Sequence, residues 1–228
     1  AKAPQVSDAQ AQQQSTTEHT IPPPPSPLPA QFAPKSMANV PDGVPRVLLL
    51  LSGKRKCGKD FLADALLQRL GTDRAQIVRI SEPIKRHWAE AMGLDLAALL
   101  GDGAYKERYR RQMIEWSDGR RQEDYGVFCR AACATIDRPI CIVSDVRRQT
   151  DVRYFREAYG PETRLRTVRI EASEQVRNGR GWQFQAGVDD VQSECDLDGY
   201  AGWDLVLTNE RPDGVGELLD RLVQLVEC

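Results

Sequence analysis

From Arg46 onward, short apolar runs alternate with longer stretches in which apolar residues recur every three or four positions. Val47 to Leu51 is uninterruptedly aliphatic, the pattern of a strand buried on both faces. A helix is expected from Asp60 to Leu70, where Phe61, Leu62, Ala65, Leu66 and Leu70 share one side and Gly71 stops the periodicity. Ile77 to Ile80 reads as a second strand. Four helical stretches follow: Ile84 to Met92, Leu94 to Leu100, Ala104 to about Trp116, and Arg121 to Ile136. A third strand runs from Pro139 to Ser144 and ends at Asp145. A helix is expected from about Thr150 to Tyr159, then a strand from Leu165 to Glu171 and a polar loop to about Gly202. A strand from Trp203 to Leu207 and a helix from Val215 to Val226 close the chain. This alternation predicts an α/β domain, a three-layer sandwich whose five-stranded parallel sheet is covered on both faces by right-handed crossovers.

Residues 1 to 45 lack the pattern. They are rich in Gln, Ser, Thr and Pro, with four consecutive prolines from Pro22 to Pro25, and their composition cannot bury enough apolar area to offset the entropy of ordering. The chain therefore divides into a disordered Pro/Gln-rich segment, 1–45, and one domain, 46–228. Met37 is a candidate alternative start, and no Arg precedes Arg46, unlike the usual transit peptide.

Composition refines this picture without redirecting it. Hydrophobic residues make up 41% and charge is balanced, with 31 basic and 33 acidic residues, so the net charge of −2 argues against a general nucleic-acid binder. No stretch approaches the ~20 apolar residues of a membrane span, and no signal-peptide pattern is present. The expectation is a cytosolic monomer; the terminal Val226-Glu227-Cys228 is not a peroxisomal signal of the Ser-Lys-Leu type. Six cysteines occur without a CxxC pair and far from both histidines, which disfavours a zinc site. Cys129 and Cys133 share a helix face, and Cys141 lies in a strand, so these read as small core residues. Basic residues cluster, at Lys54 to Lys59, Arg108/Arg110/Arg111, Arg120/Arg121, Arg147/Arg148, Arg164/Arg166/Arg169 and Arg177/Arg180. Such clusters suit either a small, highly charged substrate or solvated helix faces.

The chemistry is concentrated after the first strand. Gly53, four residues, then Gly58 and Lys59 have the spacing of a phosphate-binding loop, and the context of strand before and amphipathic helix after is the one that loop requires. Backbone amides and the helix N-terminus would face the phosphates, with Lys59 on the outer ones. Asp60 stands where a Ser or Thr usually ligates Mg²⁺. A carboxylate is a competent ligand for that ion, and it is equally a favourable charge at a helix N-terminus; both readings stand. Asp145 closes the third strand at its carboxyl end, the position from which a second acid addresses the metal. Arg147 and Arg148 follow, able to grip phosphates bidentately or to form salt bridges at a helix start. The segment from Arg177 to Trp182, with two glycines, has the make-up of a lid whose Arg closes over the transferring group. Acidic residues from Val188 to Cys195 either latch it through Arg contacts or form a solvated turn. Asn209 follows the last strand, at a position for a nucleotide contact or simply a strand end. The strand order 2-3-1-4-5 is expected by analogy with nucleoside monophosphate kinases.

These stretches together carry a resemblance. Ser52 to Phe61, Ser144 to Arg148, Tyr154 to Gly160, Arg180-Gly181-Trp182 and Gly187-Val188-Asp189-Asp190 with Ser193-Glu194-Cys195 resemble animal phosphomevalonate kinases, from about Arg46 to the C-terminus. The resemblance implies a nucleoside-monophosphate-kinase-like P-loop fold with mobile lid and acceptor-binding regions. It also implies transfer of a phosphoryl group from ATP, with Mg²⁺, to (R)-5-phosphomevalonate in the mevalonate route to isoprenoids and sterols. The partners are then two small molecules. Lys54, Arg55, Lys56, Cys57, Gly58, Lys59 and Asp60 take ATP-phosphate roles, with Lys54, Arg55, Lys59, Asp60, Arg147 and Arg148 catalytic and Asp60 and Asp145 on the metal. Arg180 and Asn209 contact the nucleotide. Lys85, Lys106, Arg110, Arg121, Arg147, Arg148 and Asn209 bind the acceptor. Cys57 stands where the family's loop has Ser, which predicts sensitivity to alkylation. Residues 1–45 have no counterpart. Two other readings carry weight: the same fold with a nucleoside monophosphate as acceptor, and a nucleotide-gated scaffold whose Pro-rich segment docks an SH3- or WW-like partner. The first lacks the usual Ser or Thr after the loop Lys, and the complete loop speaks against the second.

Overall fold

The computed structural model describes residues 45–101 and 103–228; the expected disorder of residues 1 to 44, Met37 included, lies outside the described residues. Strand β1 (Val47–Ser52) occupies the centre, and all six of its residues are buried. It pairs in parallel with β3 (Ile140–Val146) on one side and β4 (Arg164–Glu171) on the other. Strands β2 (Ala75–Val78) and β5 (Leu205–Thr208) complete the sheet, in the order β2-β3-β1-β4-β5 and parallel throughout. The expected order is the observed one.

Alternation along β1 serves two cores. Leu48 and Leu50 face a cluster with Trp88, Phe128 and Phe155, whereas Val47, Leu49 and Leu51 face Leu62, Leu66 and Leu222. The second face is covered by α1 (Lys59–Leu70) and α9 (Val215–Glu227). The first carries α2 (Ser81–Met92), α4 (Ala104–Glu123), α5 (Val127–Cys133) and α6 (Gln149–Ala158). Three layers result, and a strand buried on both sides needs the continuous aliphatic run that β1 has. Cys129, Cys133 and Cys141 are core residues, as their spacing suggests.

The boundaries differ from the periodicity at informative places. β2 is Ala75–Val78 and ends before Ile80, because the Asp145 carboxylate accepts from the amides of Ile80 (2.6 Å) and Ser81 (2.9 Å) and so starts α2 early. Helix α3 is Leu96–Leu100, capped by the Asp95 carboxylate accepting from the Ala98 amide. Helix α4 continues past Trp116 to Glu123 through a charged stretch, and α5 is correspondingly short. The expected loop from 172 to 202 contains α7 (Glu174–Gly179), whose N-cap Ser173 hydroxyl accepts from Val176, and α8 (Gln192–Cys195).

Candidate active site

The turn from β1 into α1 is built on two glycines. A side chain at Gly53 would place its Cβ 2.5 Å from the Ile170 carbonyl oxygen, and Gly58 has φ +91° with space for a Cβ only 2.2 Å from Asn209 Nδ2. Asn209, buried just beyond β5, donates from Nδ2 to the Cys57 carbonyl (2.9 Å). Arg180, following α7, donates to the same carbonyl (3.0 Å) and to the Asn209 carbonyl (2.9 Å). Both residues thus brace the loop from behind. Arg177 donates to the Arg55 carbonyl (2.8 Å) with its guanidinium 3.9 Å over the Trp182 ring.

Lys59 is 5% exposed, and its ammonium donates to the Ser144 carbonyl at the end of β3 and to Asp60 (2.7 Å). Burial raises the Asp60 carboxyl, but the Lys59 charge and hydrogen bond outweigh it, so the group is held below its ordinary value. Lys59 and Asp60 form one wall of a cleft of about 560 Å³. Lys85 from α2, Lys106, Arg110 and Arg121 from α4, and Asp145, Arg147 and Arg148 line the remainder. All the acceptor-side residues named from the sequence except Asn209 therefore converge. Lys54, Arg55, Lys56, Cys57, Gly58, Arg180 and Asn209 lie away from that cleft, in the loop or against its back.

Most of these cations hold a carboxylate. Arg147 donates to Glu194, Arg148 to Asp118, and Arg121 to Asp151 (2.7 Å). Arg110 makes two 2.6 Å bonds to Glu107. Lys54 pairs with Asp198 (2.6 Å), and Arg55 with Asp189 (3.0 Å). Within the acidic run, Asp189 and Glu194 are buried and contact arginines, whereas Asp190 is exposed and accepts from the Gly187 amide. Desolvation dominates at Lys85, Arg147 and Arg148. It pushes Lys85 down to about 8 and also lowers Arg147 and Arg148. Arg121 is desolvated too, but Asp151 more than compensates and raises it.

The structure corrects one expectation. Cys57 is 1% exposed and burial raises its thiol pKa, so it has neither the access nor the thiolate character that alkylation requires. Asp145 is also more constrained than its strand-end position suggests, since both oxygens already accept from the start of α2. Among the described residues, no group of three or more His, Cys, Asp or Glu could hold a metal. A cation here would take one or two carboxylates and complete its shell with phosphate oxygens and water, the usual Mg²⁺ arrangement, and the ionised Asp60 beside Lys59 fits it.

Sequence reasoning passed over Arg169 as a site residue. Its guanidinium reaches Ser52 Oγ (3.2 Å) and Asp198 (2.9 Å) at the end of β4. An Arg at a buried strand's carboxyl end was the available signal. The carboxylates Asp118 and Asp151 gave none, because each meets its Arg only in the tertiary fold, and for Glu194 the acidic run suggested an Arg contact without saying which Arg.

A parallel sheet with a glycine-built loop after its central strand, opening onto a cation-lined cleft, defines a P-loop kinase-type α/β protein. The phosphomevalonate kinase family model matches residues 51–161. The Drosophila melanogaster phosphomevalonate kinase is 55% identical over 183 residues, covering 77% of this chain and 96% of the relative. The chain belongs to the phosphomevalonate kinase family. Among solved structures, an APS kinase of Mycobacterium tuberculosis is 14% identical with TM-score 0.40, covering 81% of this chain and 99% of that one. A shikimate kinase of Bacteroides thetaiotaomicron is 15% identical with TM-score 0.41, covering 80% and 99%.

Proposed function

We propose that this protein transfers the γ-phosphoryl group of ATP to the phosphate of (R)-5-phosphomevalonate, releasing ADP and (R)-5-diphosphomevalonate in the mevalonate route to isoprenoids and sterols. The observation that carries the reading is the cleft itself, where Lys59 of the loop faces Lys85, Lys106, Arg110, Arg121, Arg147 and Arg148 across one space of about 560 Å³. Two highly anionic reactants meeting end to end need such a wall of cations, and phosphoryl transfer asks for positioning and charge stabilisation more than for a nucleophile on the protein.

Lys54, Arg55, Lys56, Cys57, Gly58 and Lys59 hold the ATP phosphates, with Arg180 and Asn209 keeping the loop open to them. Lys59 and Arg147 stabilise the charge on the transferring group, and Lys54, Arg55 and Arg148 support the same task. Lys85, Lys106, Arg110, Arg121, Arg147 and Arg148 grip the acceptor's phosphate and carboxylate, and Asn209 acts only indirectly, by supporting the loop from behind. Mg²⁺, when bound, neutralises the ATP phosphates, and Asp60 with Asp145 would hold it, directly or through water. The segment from Arg177 to Trp182 serves as the lid. No helix among the described residues is long and apolar enough to cross a membrane; we place the protein in the cytosol as a monomer acting on small molecules.

ADP release with Mg-ATP and phosphomevalonate, run beside a panel of nucleoside monophosphates, tests the reading. Turnover confined to phosphomevalonate is expected. Turnover of a nucleotide and not of phosphomevalonate would sink it, and turnover of neither would favour a nucleotide-gated scaffold.

A further inference from the structure

Asp151 has the third position of α6 and is 1% exposed, yet it lies at the wall of the cleft. Its oxygens are fully engaged by groups that carry the acceptor-side cations. Oδ2 accepts from the backbone amides of Arg147 (3.1 Å) and Arg148 (3.1 Å). Oδ1 accepts from Arg121 Nη1 (2.7 Å), with the Cys129 thiol at 3.6 Å. Arg121 comes from α4, thirty residues earlier in the chain, so a single carboxylate ties that helix to the turn between β3 and α6.

A buried carboxylate is retained only where donors and a countercharge replace water. Three of its four donor residues, Arg121, Arg147 and Arg148, line the same cleft, and they approach from two separate elements. A capping role needs only the amides at the start of α6. It does not call for the second oxygen to hold a nearly buried guanidinium whose side chain is 8% exposed. The amide pair fixes where the Arg147 and Arg148 side chains leave the backbone, and the Arg121 contact sets the third cation against them.

We propose that Asp151 is a positioning residue that sets the mutual spacing of Arg121, Arg147 and Arg148 for recognition of the acceptor's anionic group. The inference rests on the acceptor reading given above. Asp151 touches neither reactant; it acts through the three arginines. Asn at this position matches the shape but offers one acceptor oxygen and turns an NH₂ toward partners that are all donors.

The test is steady-state kinetics of Asp151→Asn, with the folded fraction checked by circular dichroism and thermal melting. The KM for phosphomevalonate is expected to rise by about tenfold or more and the KM for ATP to stay within about twofold, the split produced when uniform binding of one substrate is lost. The double variant Arg121→Met/Asp151→Asn is expected to be weaker toward phosphomevalonate than Arg121→Met alone, but by clearly less than the product of the two single effects, because part of the action of Asp151 runs through Arg121 and the rest through the Arg147 and Arg148 amides. An unchanged acceptor KM beside a lowered melting temperature would overturn the proposal, as would equal rises in both KM values or multiplicative effects in the double variant. Where Asp151→Asn does not fold, Asp151→Glu decides: it keeps the charge that balances Arg121 and displaces it by one methylene. A folded Glu variant with raised acceptor KM supports positioning, and one with unchanged acceptor KM refutes it. Failure of both variants to fold makes the carboxylate structural and also refutes it. Failure of the acceptor reading is seen separately, in wild-type protein that does not turn over phosphomevalonate.

Discussion

Among single residues, Lys85 makes the clearest pH prediction. Burial lowers its pKa from 10.5 to about 8, partly offset by Asp145 and reinforced by Lys106, Arg147 and Arg110. If its ammonium grips the acceptor, the KM for phosphomevalonate will rise as pH increases through about 8, while the flanking arginines stay charged. Stability moves the other way. Above about 8 and up to the unfolded value the unfolded chain binds more protons at this site, so the group's contribution to stability grows with pH and is lost as pH falls through the folded value. Acceptor KM measured from pH 7 to 9 should therefore climb without loss of folded protein, and Lys85→Arg should flatten the profile. An identical climb in Lys85→Arg would remove Lys85 from the explanation. The spacing of Gly53, Gly58 and Lys59 made the loop legible, because that chemistry is local. The pairing of carboxylates with the cations was not, because Asp118 sits 30 residues from Arg148 and Glu194 sits 47 from Arg147.

At the scale of elements, β1, its loop and α1 behave as one unit whose geometry depends on Gly58. Its φ of +91° is one that an L side chain adopts only under strain, and an added Cβ would displace the Asn209 amide that holds the Cys57 carbonyl. Gly58→Ala should cost about 1–3 kcal/mol in urea unfolding for the conformation alone. The displaced loop should raise the KM for ATP by about tenfold or more, since a 1 Å misplacement at a reacting centre has effects of that size. A variant as stable as the wild type with normal ATP KM would show that the loop tolerates another path. The strands were legible because an aliphatic run such as Val47 to Leu51 has few alternatives. Helix α4 beyond Trp116 was not, since residues 117 to 123 carry no apolar stripe and are helical in part through Arg120–Glu123 (3.2 Å) and the Arg121–Asp151 tie (2.7 Å). The early start of α2 was equally hidden, because its cap is Asp145, 65 and 64 residues away in the chain from Ile80 and Ser81. Helices α7 and α8, of six and four residues, are too short to show a period.

For the whole molecule, the distribution of charge matters more than its sum. The chain is near neutral at −2. The cleft is lined by eight cationic side chains, Lys59, Arg79, Lys85, Lys106, Arg110, Arg121, Arg147 and Arg148, against six acidic ones, Asp60, Asp64, Glu82, Asp145, Asp151 and Glu194. Focusing of positive potential in a cleft raises the local concentration of anions and weakens as salt is added. The Debye length falls from ~30 Å at 0.01 M to ~3 Å at 1 M, so attraction felt before contact is screened early. The carboxylate partners of Arg121 and Arg147 are themselves buried, at 1% and 5% side-chain exposure, so those internal pairs are screened far less. Salt should accordingly act on capture of the reactants and not on the assembled site. Raising KCl from about 0.05 to about 0.5 M should increase the KM for both phosphomevalonate and ATP by roughly 3- to 10-fold and leave kcat within about twofold. A fall in kcat with unchanged KM would mean that salt opens the internal pairs, and the charge-focusing account of the cleft would have to be abandoned.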